Sequence, residues 1–507
     1  MHFRALGYLV LFFAAITGAY AVNDPVPLPP TTEEVTLLYR ANQGQNLWVR
    51  FGRPTPFARA ALSVLSEAHS HGLDENDYQV DLLHVLHESL IQGAQEHAQA
   101  FELGLSKSLL QFVADMRPND FGSLGKQARA EGLVMLVLDA VYADELEHLA
   151  DRLTPRDPQY AALQAALGEY DARARYGRQV QIGSGPILKR GDFGPRVALL
   201  RMRLLGLADR AYGEYERSLF DEELESAVIA YQVLHGLDAD GVVGPATVQH
   251  LDRTDDERRA IIRLNLERWR RLPLDLGREH VLVNIPEYRL RLVQGREERL
   301  SMRVVVGAKT NQTPEFSDEI EYLVFNPYWY VPRSIVREEL IPAQSQSSDY
   351  LSRHGYELLD GDRVIDPASV DWTPEMLQRF PYKVRQKPGP GNALGGLKFV
   401  LPNSLDIYLH DSPQRHLYAR SRRGFSHGCI RLEYPELLAQ ALLKERPEWS
   451  ESSISSAIAR GVRRQVNLSA PVPIYLTYLT VRVEDDGSVA FLDDVYGRDA
   501  ARLARYL

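Results

Sequence analysis

The residue with the clearest chemical potential is Cys429, the single cysteine among 507 residues. It ends the run Ser426, His427, Gly428, Cys429, and His410 lies shortly before that run. A lone thiol cannot form a disulfide within its own chain, so it is an inert core residue, half of an intermolecular bridge, or a nucleophile. A preceding glycine allows close backbone approach, and histidine commonly takes the proton from a nucleophilic thiol. The neighbours therefore favour a nucleophile.

A thiol that attacks an amide or ester needs a base, a group that orients the base, and donors for the oxyanion. We predict His410 as the base, because it ends a predicted strand, where side chains are held firmly. The backbone carbonyl of Asp411, or alternatively its carboxylate, is predicted to fix the imidazole tautomer. The N–H groups of Gly428 and Cys429 are the predicted oxyanion donors.

Three residues beside the nucleophile are candidate substrate contacts, each with a simpler alternative. His427 either meets substrate or only braces the loop, and Ser426 is otherwise a turn or capping residue. Because an arginine fork suits carboxylates, Arg431 is predicted to bind a substrate carboxylate, with a structural ion pair as the alternative. Its charge also favours the thiolate form of Cys429.

Composition indicates a globular protein of roughly three domains, with 45% hydrophobic and 25% charged residues. The formal net charge is −10 and no basic domain stands out, so nucleic acid is not expected as a partner. Residues 1–21 contain Arg4, an apolar run over residues 6–16, and alanines at 19 and 21. This pattern predicts a signal peptide and hence export, with an uncleaved N-terminal membrane anchor as the alternative.

Apolar periodicity predicts an α+β multidomain protein, because helical spacing in the first half gives way to strand patterns from residue 280. The expected parts are a helical scaffold domain at 32–180, a three-helix unit at 187–252, a mainly β catalytic domain at 280–483 and a C-terminal tail at 484–507. An insertion at about 333–395 interrupts the β pattern. Long insertions of this kind are usually lids or binding elements, and a solvated excursion is the alternative.

The three-helix unit resembles a small peptidoglycan-binding domain. The residues that carry this likeness are Phe220, Ala227, Tyr231, Gln232, Gly236, Leu237, Asp240, Gly241 and Gly244. The likeness implies that fold. It leaves open whether the unit binds glycan or serves as a spacer.

The motif around Cys429 resembles the signature of the YkuD-type L,D-transpeptidase catalytic domain, a histidine followed at short range by Ser/Thr-His-Gly-Cys. All four signature residues at 426–429 match, whereas residues 430–432 read Ile-Arg-Leu and lack the family's usual asparagine. Residues 385–395 and 493–499 look like those of a long-chain subgroup with an N-terminal scaffold and a lid insertion. Through this likeness Tyr408 and Asn392 join the candidate substrate-binding residues.

The resemblance implies a periplasmic enzyme that acts on peptidoglycan stem peptides. In that reaction Cys429 attacks the bond after the L-centre of a tetrapeptide donor and expels D-Ala. The thioester is then passed to a diaminopimelate amine on an acceptor stem, which gives a 3→3 cross-link. Water or a free D-amino acid are alternative acceptors. No cofactor and no metal are expected, and other cell-wall synthesis enzymes are further expected partners.

Two other functions stay open. A cysteine peptidase would hydrolyse cross-links, but papain-like peptidases place cysteine before histidine, whereas His410 precedes Cys429 here. A non-catalytic peptidoglycan-binding adaptor would require loss of one of these two residues, and both are present. The order favours transpeptidation without excluding hydrolysis, because the choice of acceptor depends on water exclusion.

Overall fold

A computed structural model describes residues 31–119, 125–176, 179–206, 214–370, 372–373, 377 and 379–507. The predicted signal peptide at 1–21 lies outside these residues. Within the described ranges, no helix is long and apolar enough to cross a membrane. The chain divides into two compact units, Met1–Thr154 and Pro155–Leu507.

The first unit is helical, as the sequence predicts. Its elements are α1 (Glu33–Ala41), β1 (Val49–Arg50), β2 (Arg53–Pro54), α2 (Pro56–Ser66), α3 (Val80–Ile91), α4 (Ala98–Met116), α5 (Lys126–Tyr142) and α6 (Leu149–Leu153). Apolar faces of these helices meet in a core that contains Trp48, Phe101 and Phe112. The buried carboxylate of Glu102 accepts the backbone N–H groups of residues 47–49 at 2.7–3.0 Å. Since a buried charge requires such partners, this contact ties the segment before β1 to α4.

The second unit begins with α7 (Pro158–Tyr176), which packs against α12 (Asp255–Arg270). Tyr160 and Leu163 of α7 share an apolar core with Trp269 of α12. The first unit therefore ends before the predicted scaffold boundary at 180, because the apolar face of α7 is buried within the second unit.

The three-helix unit has its own small apolar core, which includes Leu200, Phe220 and Leu224. Its described helices are α8 (Pro195–Leu205), α9 (Glu214–Ser218), α10 (Glu222–Leu234) and α11 (Pro245–Leu251). Proline occupies the first turn of α8 and of α11, where the missing N–H has no intrahelical acceptor to lose.

A closed sheet of nine strands forms the predicted catalytic domain. Its strands are β3 (Glu279–Asn284), β4 (Arg289–Gln294), β5 (Glu297–Gly307), β6 (Phe316–Phe325), β11 (Leu397–Val400), β12 (Leu409–His410), β13 (Gly424–Ser426), β14 (Ile430–Leu432) and β15 (Arg464–Thr477). The strand order is β13-β5-β14-β12-β11-β6-β15-β3-β4, and β5 also pairs with β4. The long strand β5 therefore closes the sheet, and the predicted fold class is confirmed.

Two helices that follow the cysteine motif in the chain pack against the closed sheet. They are α16 (Pro435–Leu442) and α17 (Glu451–Ala459). Leu438 and Ile454 of these helices share the sheet's core with Phe325, Phe399 and other side chains that alternate inward along the strands. The short strands β12 and β14 are each paired with a strand on both sides, so side chains at their ends have fixed positions.

The insertion is a folded subdomain. It contains β7 (Trp329–Tyr330), α13 (Arg333–Ile335), a π-helical turn (Val336–Leu340), α14 (Ile341–Gln346), α15 (Tyr350–Arg353), β8 (Tyr356–Asp360), β9 (Arg363–Ile365) and β10 (Lys383–Gln386). The strands form a second sheet in the order β7-β10-β8-β9. Ile335, Leu340, Leu351, Leu358 and Val384 are buried in its separate core. A solvated excursion would have no such core.

The predicted C-terminal tail is packed against the rest of the second unit. It includes the end of the hairpin β16 (Val481–Val483) and β17 (Val489–Phe491), and α18 (Ala500–Leu503). Phe491 lies in the core with α7, and Tyr496 lies in the core of the closed sheet. The Tyr496 hydroxyl donates to the Gly307 carbonyl at 2.8 Å, so the tail supports the end of β5.

Candidate active site

Three neighbouring strands bring basic side chains together beside the cysteine. Lys398 on β11 pairs in register with His410 on β12, which pairs in turn with Arg431 on β14. Residues that lie opposite one another in a sheet point to the same face. Cys429 immediately precedes β14, so the thiol is presented next to this row.

His410 is buried and has a defined tautomer. Its Nδ1 lies 2.5 Å from the backbone carbonyl of Asp411, so Nδ1 carries the proton and donates it to that oxygen. The other ring nitrogen, Nε2, is then left as a proton acceptor. Burial, followed by the charge of Arg431, lowers the pKa of His410 to about 3. The imidazole is therefore neutral at ordinary pH and able to act as a base.

The Asp411 carboxylate has a different task from its carbonyl. It accepts hydrogen bonds from the backbone N–H groups of Gly396 and Ser412 at 2.8 and 2.6 Å, and from the Arg415 guanidinium at 2.8 Å. These bonds hold the chain after β12 against the loop before β11. The structure thus places the carbonyl, the first of the two predicted options, on the imidazole.

Cys429 is partly exposed and its thiol is protonated in the resting site. Burial raises the pKa of Cys429, and this effect outweighs the lowering by hydrogen bonds from Tyr408 and by the charges of Lys398 and Arg431. The sequence argument that Arg431 favours thiolate is right in direction. The effect of the Arg431 charge is too small to ionise the thiol in the resting site, so Cys429 needs a base at the moment of attack.

The turn before the nucleophile is braced by Ser426 and Thr313. The Ser426 hydroxyl donates to the Cys429 carbonyl at 2.6 Å and accepts the Gly428 N–H at 3.1 Å. Thr313 donates to the Gly428 carbonyl at 2.7 Å and accepts the Gly307 N–H at 2.9 Å. Ser426 is buried, so the turn-capping alternative describes it better than the predicted substrate contact.

Gly428 has a conformational role in place of the predicted oxyanion role. Its φ is +118°, which favours glycine, and an added Cβ would lie 3.3 Å from Ile407. Its N–H already donates to Ser426, so this group is not free to bind an oxyanion. Among the described residues, the N–H of Cys429 makes no hydrogen bond and stays a candidate donor.

Tyr408 supplies a second candidate donor for the oxyanion. Its side chain is hydrogen-bonded to Cys429 and to Trp329, and burial raises its pKa well above the usual value, so the hydroxyl stays protonated. Lys398 lies over the ring, with Nζ 3.6 Å from the ring centroid. Burial lowers the pKa of Lys398.

Sequence reasoning missed Lys398, Trp329, Thr313 and Glu339. Of these, Lys398 had a usable signal, because it is a charged residue within the otherwise apolar run 397–400, shortly before His410. The others reach the site through contacts that cross long stretches of chain.

Asn392 does not meet the site as a free side chain. Its Nδ2 donates to the carbonyls of Pro327 and Lys387 at 3.1 and 2.9 Å, and its Oδ1 accepts the Leu394 N–H at 2.7 Å. It is only 1% exposed. The hydrogen-bonding groups of Asn392 therefore hold the loop together, and its contact with substrate stays a prediction.

The surroundings of Arg431 favour the predicted contact with a substrate carboxylate over the alternative of a structural ion pair. Its Nη1 donates to Gln414 at 2.5 Å, and its Nε is buried without a hydrogen-bond partner. Within the described ranges, no carboxylate forms an ion pair with Arg431. The guanidinium therefore keeps donors for a ligand.

His427 is the most exposed member of the motif. Its Nε2 lies 2.8 Å from Oε1 of Glu339, which belongs to the π-helical turn of the insertion. The insertion thus touches the segment that carries the nucleophile.

Family models match three parts of the chain. Residues 278–455 match the L,D-transpeptidase catalytic domain, YkuD. Residues 33–167 match a scaffold domain, and residues 194–251 match the "Putative peptidoglycan binding domain". These matches confirm the resemblance stated from the motifs: residues 278–455 are similar to the L,D-transpeptidase catalytic domain, and the other two matched segments precede them.

A curated relative from Haemophilus influenzae is described as "Putative L,D-transpeptidase". It is 37% identical over 220 residues, which are 43% of this chain and 44% of the relative. The match therefore spans less than half of the length of either protein.

Two solved L,D-transpeptidase structures are also similar. The one from Xylanimonas cellulosilytica has 16% identity and a TM-score of 0.18, and covers 58% of this chain and 98% of its own. The one from Stackebrandtia nassauensis has 13% identity and a TM-score of 0.23, and covers 59% of this chain and 97% of its own. Similarity this low carries no argument about the site.

Proposed function

We propose that this protein is a peptidoglycan L,D-transpeptidase in which Cys429 forms a thioester with a tetrapeptide stem and passes it to an amine. The observation that carries the proposal is the 2.5 Å bond from His410 Nδ1 to the Asp411 carbonyl. It leaves Nε2 as the acceptor on the strand that pairs beside the cysteine. A neutral thiol and a neutral imidazole form the nucleophile and base of an acyl transfer.

The first half-reaction uses the buried side of the site. His410 takes the thiol proton as the Cys429 sulfur attacks the carbonyl carbon after the L-centre of the donor. The oxyanion is stabilised by the Cys429 N–H and the Tyr408 hydroxyl. The C–N bond to the terminal D-Ala then breaks, and His410 returns the proton to the leaving amine.

The second half-reaction transfers the acyl group to the side-chain amine of diaminopimelate on another stem, which gives a 3→3 cross-link. Arg431 is suited to a stem carboxylate, because no carboxylate of the described residues forms an ion pair with its guanidinium and its Nε is buried without a hydrogen-bond partner there. We propose that the reaction takes place in the periplasm, a location that this substrate and the sequence pattern at residues 1–21 support. Donor and acceptor stems are the partners of this reaction.

The test is intact-mass analysis with a purified disaccharide-tetrapeptide muropeptide. We expect a transient adduct of the donor minus D-Ala on the wild-type chain and a 3→3 cross-linked dimer in solution. Cys429→Ala should give neither product. Release of tripeptide without dimer would favour the hydrolytic alternative, and no adduct at all would reject acyl transfer by this site.

A further inference from the structure

The insertion contacts the cysteine motif through a carboxylate and an imidazole. Glu339 Oε1 lies 2.8 Å from His427 Nε2, and the two side chains are 52% and 43% exposed. Glu339 lies on the π-helical turn Val336–Leu340, whose flanking residues Val336 and Leu340 are buried in the insertion core. Such turns are rare and frequently occur at functional sites, so a firmly anchored acid is presented to a solvent-facing histidine.

The contact selects one tautomer of His427. An ionised carboxylate only accepts hydrogen bonds, so Nε2 must carry the proton. A neutral His427 then has its lone pair on Nδ1, and among the described residues no hydrogen bond uses that atom. The tautomer of His410 is fixed in the same way by one acceptor. There Nδ1 carries the proton and donates it to a backbone carbonyl, whereas in His427 Nε2 donates to a side-chain carboxylate.

The surroundings suit a ligand that carries both an ammonium and a carboxylate. The charge of Glu339 reaches Arg431, where it opposes the lowering of the arginine pKa by burial. Acidic and basic groups of the site are therefore close, yet Arg431 itself has no carboxylate partner in the described part of the chain. An amino acid head group can place its carboxylate on Arg431 and its amine towards His427.

We propose that Glu339 is a positioning residue for the acceptor half of the reaction: it holds His427 so that Nδ1 takes a proton from the incoming amine. This inference rests on the proposed function. It assigns His410 to the donor step and His427 to the acceptor step, and it makes the insertion a part of acceptor chemistry.

The transfer step balances with His427 as the first proton acceptor. The acceptor arrives as an ammonium and loses one proton to His427 Nδ1, which frees the nitrogen lone pair. That nitrogen attacks the thioester carbon, the C–N bond forms and the C–S bond breaks, and the sulfur leaves as thiolate. The second nitrogen proton passes to the thiolate and restores the thiol. His427 is half exposed, so it can release its proton to water.

The experiment follows the two half-reactions separately in the full chain. The donor is a disaccharide-tetrapeptide muropeptide, and the acceptor is meso-diaminopimelic acid at increasing concentration. The variants are Glu339→Gln, which removes the charge with little change in size, and Glu338→Gln as a matched control. Glu338 is exposed on the same turn, and its substitution makes the same change in charge.

For Glu339→Gln we expect acyl-enzyme formation within about twofold of wild type. The maximal rate of amine transfer should fall about 10-fold or more, less than the 10²–10⁴-fold attributed to a complete general base because the imidazole remains. The half-saturating acceptor concentration should change little, and hydrolysis should take a larger share of the thioester. Glu338→Gln should match wild type.

A double variant tests whether Glu339 acts through His427. In a His427→Ala background, Glu339→Gln should produce no further loss of transfer, because the pair acts as a unit. Equal losses in acylation and transfer, additive losses in the double variant, or an unchanged ratio of transfer to hydrolysis would each overturn the inference. These results would leave the proposed function standing. A wild-type chain that forms no acyl-enzyme would reject both.

Discussion

The two histidines beside Cys429 occupy opposite environments. His410 is 5% exposed, lies on a central strand of the closed sheet, and is oriented by a backbone carbonyl. His427 lies on an exposed turn and is oriented by a carboxylate from the insertion. Asp411 directly follows β12 and its N–H donates to the Leu397 carbonyl of β11 at 2.9 Å, whereas the Glu339 carboxylate ends a half-exposed side chain of the insertion. The difference indicates one permanent base and one that depends on the position of another segment.

Cys429→Ala tests whether both histidines serve one nucleophile and has the largest expected effect. A carbapenem, whose strained amide acylates nucleophiles, should add one molecule per wild-type chain and none to the variant. Intact-mass spectrometry measures the adduct. An adduct on the alanine variant would show that another residue is the nucleophile. The comparison of His410 and His427 as bases beside Cys429 would then no longer apply.

His410→Ala should slow acylation by roughly 10²–10⁴-fold, the range for a lost general base. His427→Ala should affect acylation much less, since its carboxylate partner belongs to the acceptor side. Stopped-flow or quenched-mass kinetics with the same carbapenem gives both rates. A larger acylation defect in His427→Ala than in His410→Ala would reverse the assignment of the two bases.

Replacing the insertion tests whether the acceptor step, which we assign to the exposed His427, depends on this segment. The Val331 N–H donates to the Val384 carbonyl at 2.9 Å, so a short turn can join the chain there in place of residues 333–382. The closed sheet should stay folded by circular dichroism, because its core is separate. Cross-linking should fall by up to about 10²-fold, the scale for lost positioning. Unchanged turnover would make the insertion dispensable for catalysis.

The smallest expected effect is on the pH dependence of acylation. The pKa of His410 is lowered to about 3, so its base form persists as pH falls below 6.5. Acylation by a carbapenem should therefore show no acid limb near pH 6.5 while the protein stays folded. Because the unfolded chain binds that proton more readily, stability should decline below pH 6.5, by up to about 1.4 kcal/mol per pH unit for this group. An acid limb at pH 6–7 without unfolding would contradict the neutral, buried imidazole.

The helices, the strands and the segment 426–429 were predictable because they depend on local patterns. Apolar periodicity marks helices and strands wherever one face is buried, and the histidine and the Ser-His-Gly-Cys run are visible in the chain itself. The single cysteine likewise needed no structure to stand out. These features determined the fold class and the candidate nucleophile and base.

Only the tertiary structure decided what the neighbours of the nucleophile do. Asn392 and Gly428 look like site residues in sequence, yet their polar groups are used to hold loops and turns. Lys398 enters the site because β11 pairs with β12, and Glu339 enters it from the folded insertion. Hydrogen-bond partners and charge neighbours depend on which distant segments meet. Sequence spacing does not encode those distances, because they result from how the sheet closes and where the insertion packs.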